Sequence, residues 1–464
     1  MKQPAIRKSL RPPKRDREAG VTIVLVAAAL TAALAMAALS IDVVTLYLAD
    51  ANAQQAADAA ALAGARILSL SGMTGDPQNA SGLWSAACTS AQDVATAVGN
   101  QITVGGTIPA GITVTFPNDT SGNCSGAGLN KFGVNPKVQV KIQSTSLPTF
   151  FARIWGKTGS TVSATATAEV FNPSNSGAFS GSGIIPVQPR CVKPWIVPNI
   201  DPGNYPNPFV SNVDGSINSA SQGIRLSGAT PGIVGEQFAL FAGCSNAVDP
   251  CIPMTPDANV TSGTIPPTPP PPVPPNLIYF PGEAPAFSVA VPSGATGTTY
   301  EAAVGGCDQK TIYQCGVPNA SAGNPNKIDL SENPGGGTGD TAVAVQILIH
   351  QAGGQDALDT AKYPYQIKTG AGNPLTGAGL ASGSLVTSSN SIVSLPIYDN
   401  ATPINPTSTT PVTIVGFLQV FVNQVNADGS LSVTVLNVSG CSNAATQTAL
   451  TGTSPVPIRL ITYP

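Results

Sequence analysis

The chain predicts an α+β protein in three parts: a transmembrane and stem helix, a small α+β unit, and a β-rich, sandwich-like distal domain containing disulfides. Three observations lead there. An uncharged apolar run, Val21 to Ile41, continues into an alanine-rich stretch with no Gly or Pro until Gly64. Beyond it, short alternating segments are punctuated by Gly, Pro and Asn. All eight cysteines lie on the C-terminal side of the apolar run.

Composition sets the frame for each element. With 464 residues and 42% hydrophobic content the chain can build more than one core. Its 48 Gly, 43 Pro and 10% charged residues describe a turn-rich chain of the exported β type rather than a cytosolic enzyme. Residues 1–20 carry seven basic and two acidic groups, for +5, whereas the remainder carries −8. A basic head before an apolar segment predicts a cytoplasmic N-terminus and an exported remainder. The acidic remainder offers no basic footprint for nucleic acid.

Val21–Ile41 spans about 31 Å as a helix, one bilayer core, and is predicted to be a retained single-pass anchor. A cleavable signal peptide, with Ala35-Met36-Ala37 as the small-x-small site, is the alternative reading. The expected stem covers 42–70. Within it Ala49, Ala53, Ala56, Ala60, Ala63 and Ile67 recur at steps of 4, 3, 4, 3 and 4, the seam of a closely packed helix pair. Asp50, Gln54, Asp58 and Arg66 mark its polar face. The seam fits packing on the chain's own globular unit and packing on another subunit equally well.

The expected α+β unit covers 71–172. It comprises a helix from Ser81 to Gly99, strands at Ile112–Phe116 and Lys137–Ser144, an amphipathic helix at Leu147–Gly156 and a strand at Thr161–Phe171. A Gly/Ser-rich linker at 173–183 leads to the β-rich domain, 184–464. That domain contains apolar runs at Val343–His350 and Ser391–Tyr398 and a hairpin joining Thr413–Val425 to Ser430–Val438. Pro266 to Pro275 holds eight prolines in ten positions, a polyproline spacer of about 31 Å. The cysteines, Cys88, Cys124, Cys191, Cys244, Cys251, Cys307, Cys315 and Cys441, are disulfide candidates, with Cys244/Cys251 and Cys307/Cys315 the obvious local pairs.

Glu18 to Arg66, "EAGVTIVLVAAALTAALAMAALSIDVVTLYLADANAQQAADAAALAGAR", resembles the N-terminal segment of the TadE/TadG-like proteins of Flp (tight-adherence) pilus assembly. The family's opening glycine, outer aspartate, following aromatic and closing Q-x-A-A-D-A-A-A-L-A-G-A pattern fall on Gly20, Asp42, Tyr47 and Gln54 to Ala65, with Asp58 inside the last. "LPTFFARIWG…VSATATA" extends the resemblance to about residue 170. Prepilin-like proteins carry a glutamate five residues after the processing glycine. Here that position is Leu25, which points to the non-processed, TadG-like branch.

The resemblance implies a pilin-like inner-membrane protein, single-pass, with its bulk periplasmic or extracellular. It also implies contacts with the lipid bilayer and with other pilus-assembly or pilin-like membrane proteins, and no cofactor. An anchored surface adhesin or carbohydrate-binding protein is the alternative, and a hydrolase with an unrecognised site a weaker third.

Motifs for chemistry fail on spacing. "WGKTGS" lacks the phosphate-loop glycine, which would stand at Phe151, so Phe150, Phe151, Ile154 and Trp155 are expected in the core. The single histidine, His350, is expected to be structural at a strand end, and Asp356 with Asp359 to be a solvated helix end. There is no CxxC, and Asp329-Leu330-Ser331-Glu332-Asn333 lacks the second serine of a D-x-S-x-S metal motif. No catalytic, cofactor or metal residue is assigned.

Overall fold

The computed structural model describes residues 19–77, 82–119, 121–126, 135–156, 159–175, 185–226, 232–242, 276–282, 299–316, 326–329, 340–400, 404, 409–441 and 449–462. Residues 1–18 of the expected basic head, most of the Gly/Ser linker, the proline spacer, Cys244 and Cys251 lie outside them. The main helices are α1 (Ala19–Leu70), α2 (Trp84–Gly99), α3 (Thr299–Gly305) and α4 (Asp340–Leu348). The main strands are β1 (Gly111–Thr115), β2 (Lys137–Leu147), β3 (Ser160–Val170), β4 (Trp195–Pro198), β5 (Gln237–Ala242), β6 (Asn276–Pro281), β7 (Ile392–Tyr398), β8 (Ile414–Val425), β9 (Leu431–Gly440) and β10 (Ile458–Ile461).

The fold is α+β. Helix α1 is one continuous element of 52 residues, about 78 Å long. Its first half is largely exposed among the described residues: Val21, Ile23, Val24, Leu25, Val26, Leu30, Leu34 and Met36 are all more than 60% exposed. Its second half lies on an antiparallel sheet in the order β1–β2–β3–β10, with α2 beside it. Small residues make the close approach possible. A Cβ on Gly64 would stand 3.1 Å from Val138 and 3.3 Å from the Ala95 Cβ, and one on Gly99 would stand 3.6 Å from the Ala60 Cβ. These contacts run α2 antiparallel to α1. Strand β2 alternates as its sequence predicts, with Val138, Val140 and Ile142 turned into the core.

Helix α1 ends at a position that only glycine satisfies. Gly72 has φ +69°, and a Cβ there would stand 2.3 Å from Val234. That contact belongs to the distal region, and others join it: Asn437 Nδ2 donates to Ser69 O at 3.0 Å, and Asn172 Nδ2 donates to Val438 O at 2.9 Å. One hydrophobic core therefore runs from Ala49 through the α+β unit into the distal strands.

The distal strands close. The expected sandwich-like region is a barrel in the order β7–β8–β9–β5–β6–β4, with β4 pairing back to β7. The β8–β9 hairpin falls where the sequence places it, turning through Asn426–Ser430 with Gly429 at φ +86°. Two parallel pairings, β5 with β6 and β4 with β7, complete the circuit. Such pairings need long crossovers and leave no hairpin signal in the sequence.

Two local expectations are corrected. Val343–His350 is not a strand but the end of α4 and the turn after it. A short, mainly apolar run fits a buried helix as well as a strand, and α4 buries Ala342, Ala344, Val345 and Leu348. Cys307 and Cys315 do not pair with each other. Cys191 pairs with Cys307, Cys315 with Cys441, and Cys88 with Cys124, at Cα separations of 4.4, 5.5 and 5.4 Å. Backbone pairing decides this: Cys191 N–H donates to Asp308 O, while Cys315 bridges Ile414 and Cys441 N–H donates to Val415 O.

The C-terminal strand also departs from a linear division. β10 pairs with β3 from Ile458↔Val170 to Ile461↔Thr167, so part of the expected distal domain completes the first sheet. Arg459 anchors it, 2.8 Å from Glu169 and over the Phe171 ring at 4.6 Å.

The tight α1 packing has a measurable consequence. Ala60→Leu is expected to cost about 1–3 kcal/mol by overpacking, whereas Ala51→Leu on the exposed face should stay within about 0.5 kcal/mol. Urea unfolding of the two variants against wild type checks the difference.

Candidate functional site

The first ionisable group after the apolar run is Asp42, and it is buried, at 3% exposure. A buried carboxylate is costly unless it is fully hydrogen-bonded. Three consecutive backbone amides supply the bonds. Phe150 N–H donates to Oδ1 at 2.9 Å, Phe151 N–H to Oδ2 at 3.0 Å, and Ala152 N–H to Oδ2 at 2.7 Å. These amides open the short 3-10 turn Ala152–Trp155, so Asp42 caps that turn from another element. Burial pushes the carboxyl pKa upward, but the three amide bonds outweigh it and hold the group below its ordinary value.

Local sequence explains the geometry. Leu147 and Thr149 are buried and pin the loop to the unit, Ser146 turns it at φ +61°, and Phe150 is left 60% exposed. The expected amphipathic helix at 147–156 is only one 3-10 turn, and Phe150 is not a core residue. The clasp takes up the amides that a longer helix would have opened with, and Phe150 faces outward. Phe151 is half-buried, and the side chains of Ile154 and Trp155 lie outside the description.

The predicted seam divides. Ala49, Ala53, Ala56 and Ala60 are buried against the chain's own sheet and α2, whereas Ala63 and Ile67 are only half-buried. A 3.5-residue repeat drifts around a straight helix by about 20° per heptad. The buried face instead follows two rows spaced by four: Ala53, Ala57, Ala61, Ala65 and Ala56, Ala60, Gly64, Leu68. Placing glutamate at Ala56 and Ala60 would therefore test folding, not assembly. The exposed face is the opposite one, with Val43, Val44, Tyr47, Leu48, Asp50, Ala51, Gln54 and Gln55.

The family-like positions fall on one helix with different roles. The Gly20 backbone lies in the first turns, Asp42 makes the clasp, and Tyr47 is 74% exposed. Gln54 Nε2 donates to Asp58 Oδ1 at 2.7 Å across one turn. Both border an open groove of about 430 Å³ beside Thr165, Thr167 and Leu460. Arg66, at the far end of the polar face, donates to Thr387 O at 3.1 Å.

Elsewhere the titratable groups serve the fold. Asp356 is not a solvated helix end: it is 6% exposed and accepts from Gly370 N–H, Asn373 Nδ2 and Ser389 Oγ. Asp359 pairs with Lys368 at 3.0 Å. His350 has φ +57°, and its Nε2 lies 3.2 Å from Asn390 Nδ2 beside a pocket of about 240 Å³. Lys193 is buried next to the Cys191–Cys307 bridge, its Nζ donating to Gly306 O at 2.6 Å, and burial lowers its pKa to about 7. Glu236 is fully buried, beside Asp201, Gly203 and Arg225. Burial first, and the Asp201 carboxylate second, raise its pKa to about 9.

Residues 20–66 match the Tad family model, TadE/G-like Flp pilus assembly, which covers 47 of the 464 residues. No curated protein and no solved structure matches the chain. The matched segment contains Asp42 and the buried half of the stem, but not the loop that Asp42 holds.

Asp42→Ala leaves three part-buried amides without their acceptor. Chymotryptic cleavage at Phe150 and Phe151 in detergent-solubilised protein is expected to rise roughly tenfold. Because the clasp lowers the Asp42 pKa, its contribution is present at neutral pH and is lost as pH falls below the ordinary value of 3.8. Glu236 acts in the opposite sense. From pH 4.5 to about 9 the unfolded carboxyl ionises while the folded one keeps its proton, so stability falls as pH rises. Glu236→Gln should remove that slope, read as urea midpoints at pH 5 and pH 8 that lie closer together than in wild type.

Proposed function

We propose that this protein is a membrane-anchored, pilin-like structural component that takes part in assembling a Tad/Flp-type pilus or a related secretion apparatus, of the TadG-like branch. Residues 1–20 are cytoplasmic, 21–41 cross the inner membrane once, and the remainder is periplasmic or extracellular. One observation carries the reading. The TadE/G-like segment coincides with a single helix that changes from wholly exposed and apolar to buried in its own unit at Asp42. A lipid bilayer would cover such an apolar half along its whole length.

Two further features support it. The +5 head orients the span by the positive-inside pattern. Three disulfides in the described residues suit an oxidising compartment. Pilus partners would meet the free face of α1 around Ala51 and Gln55, since the alanine seam is already occupied.

The test replaces residues 1–41 with a cleavable export signal in a strain that makes the pilus. The expected result is a folded, disulfide-bonded soluble protein and cells without pili. Normal piliation in that strain would overturn the assembly role. A tethered adhesin is the second reading, supported by the pocket where His350, Asn373, Asn390 and Leu375 combine polar groups with an apolar wall. Saturable glycan binding by the full chain, abolished by Asn390→Ala, would favour it.

A further inference from the structure

Two loops of the α+β unit reach the level at which α1 leaves that unit. The first follows α2, turns between Val104 and Thr107, where Val104 N–H donates to Thr107 O at 2.8 Å, and continues through Ile108 to β1. It sits low on the stem, because a Cβ on Gly105 would stand 2.6 Å from Leu147 and 3.6 Å from Ala49. The second is the loop from Leu147 to Ala152 that Asp42 clasps. Each exposes one large apolar side chain, Ile108 at 64% and Phe150 at 60%. Among the described residues from 71 to 172 these are the exposed large hydrophobics, and both stand at the end facing the apolar half of α1.

We propose that Ile108 and Phe150, with Tyr47 and Leu48 of α1, form a collar that seats the α+β unit on the lipid bilayer surface. The proposal rests on the reading of α1 as a membrane anchor and adds a second contact to it. Lipid is the occupant because the collar is continuous with the exposed apolar helix: Val43, Val44, Tyr47 and Leu48 are 42%, 56%, 74% and 60% exposed. Tyr47 lies five residues past Asp42, about 7.5 Å along the axis, which is the depth of the interfacial layer on one side of a bilayer. Aromatic and aliphatic side chains are favoured at that depth. Exposed Arg153, on the clasped turn, supplies a cation at headgroup level, and exposed Asp50 marks where the apolar surface ends. The clasp keeps the arrangement rigid, since Asp42 fixes the backbone of Phe150 itself at 2.9 Å.

The test uses the full-length protein in phosphatidylcholine/phosphatidylglycerol liposomes. Ile108→Trp and Phe150→Trp are compared with Val213→Trp, a position 83% exposed in the distal region. Bromine-labelled lipids should quench the added emission of the first two at least about twofold more than that of the third. Aqueous iodide should show the reverse order. If the protein floats with the liposomes but iodide quenches all three alike, the collar is overturned and the anchor stands. If neither quencher reaches Ile108→Trp or Phe150→Trp in floating liposomes, protein covers these positions and lipid is the wrong occupant. A chain that does not float overturns the anchor and the collar together.

Discussion

A helix of 52 residues that is apolar and unpartnered in one half and buried in protein in the other needs a fixed boundary, and the Asp42 carboxylate is that boundary. Placed one turn earlier, it would stand among side chains that have no polar partner. Placed later, it would stand in the alanine seam, where the backbones are too close to admit it. At position 42 it collects three amides and converts the end of an apolar run into a defined joint between helix and loop. The rest of the α+β unit takes its height along the stem from that joint.

The alanines set the other dimension. Their short side chains bring α1 within van der Waals reach of α2 and of β2, so the sheet and both helices share one thin core. Larger side chains would bury more area but would lift the stem from the sheet and strand the clasp. Low side-chain bulk here is the cost of proximity, and much of the burial is recovered by Val138, Val140 and Ile142 on the facing strand.

Periodicity made the local elements legible: the stem, α2, the alternating β2 and β3, and the β8–β9 hairpin lie within a few residues of where spacing puts them. Contacts between distant segments were not legible. The barrel closes through parallel pairings that have no local signature, and the partners of Cys307 and Cys315 lie 116 and 126 residues away in sequence. The candidate site falls between these cases. Asp42 stood out as the family-like aspartate at the outer end of the apolar run, and 147–156 stood out as an amphipathic segment, but nothing in either said that one caps the other. For the same reason Phe150 read as core, since an exposed phenylalanine and a buried one are alike in a sequence.

The return of β10 to β3 bears on the order of events as the chain is made. A strand spanning 458–461 closes a sheet whose other members lie between 111 and 170, so the sheet stays one strand short until synthesis has passed residue 461. Its edge at β3 is open through that interval, next to a helix already held in place. The unit nearest the N-terminus is thus the last to be completed. Its finished state reports that everything between has been synthesised.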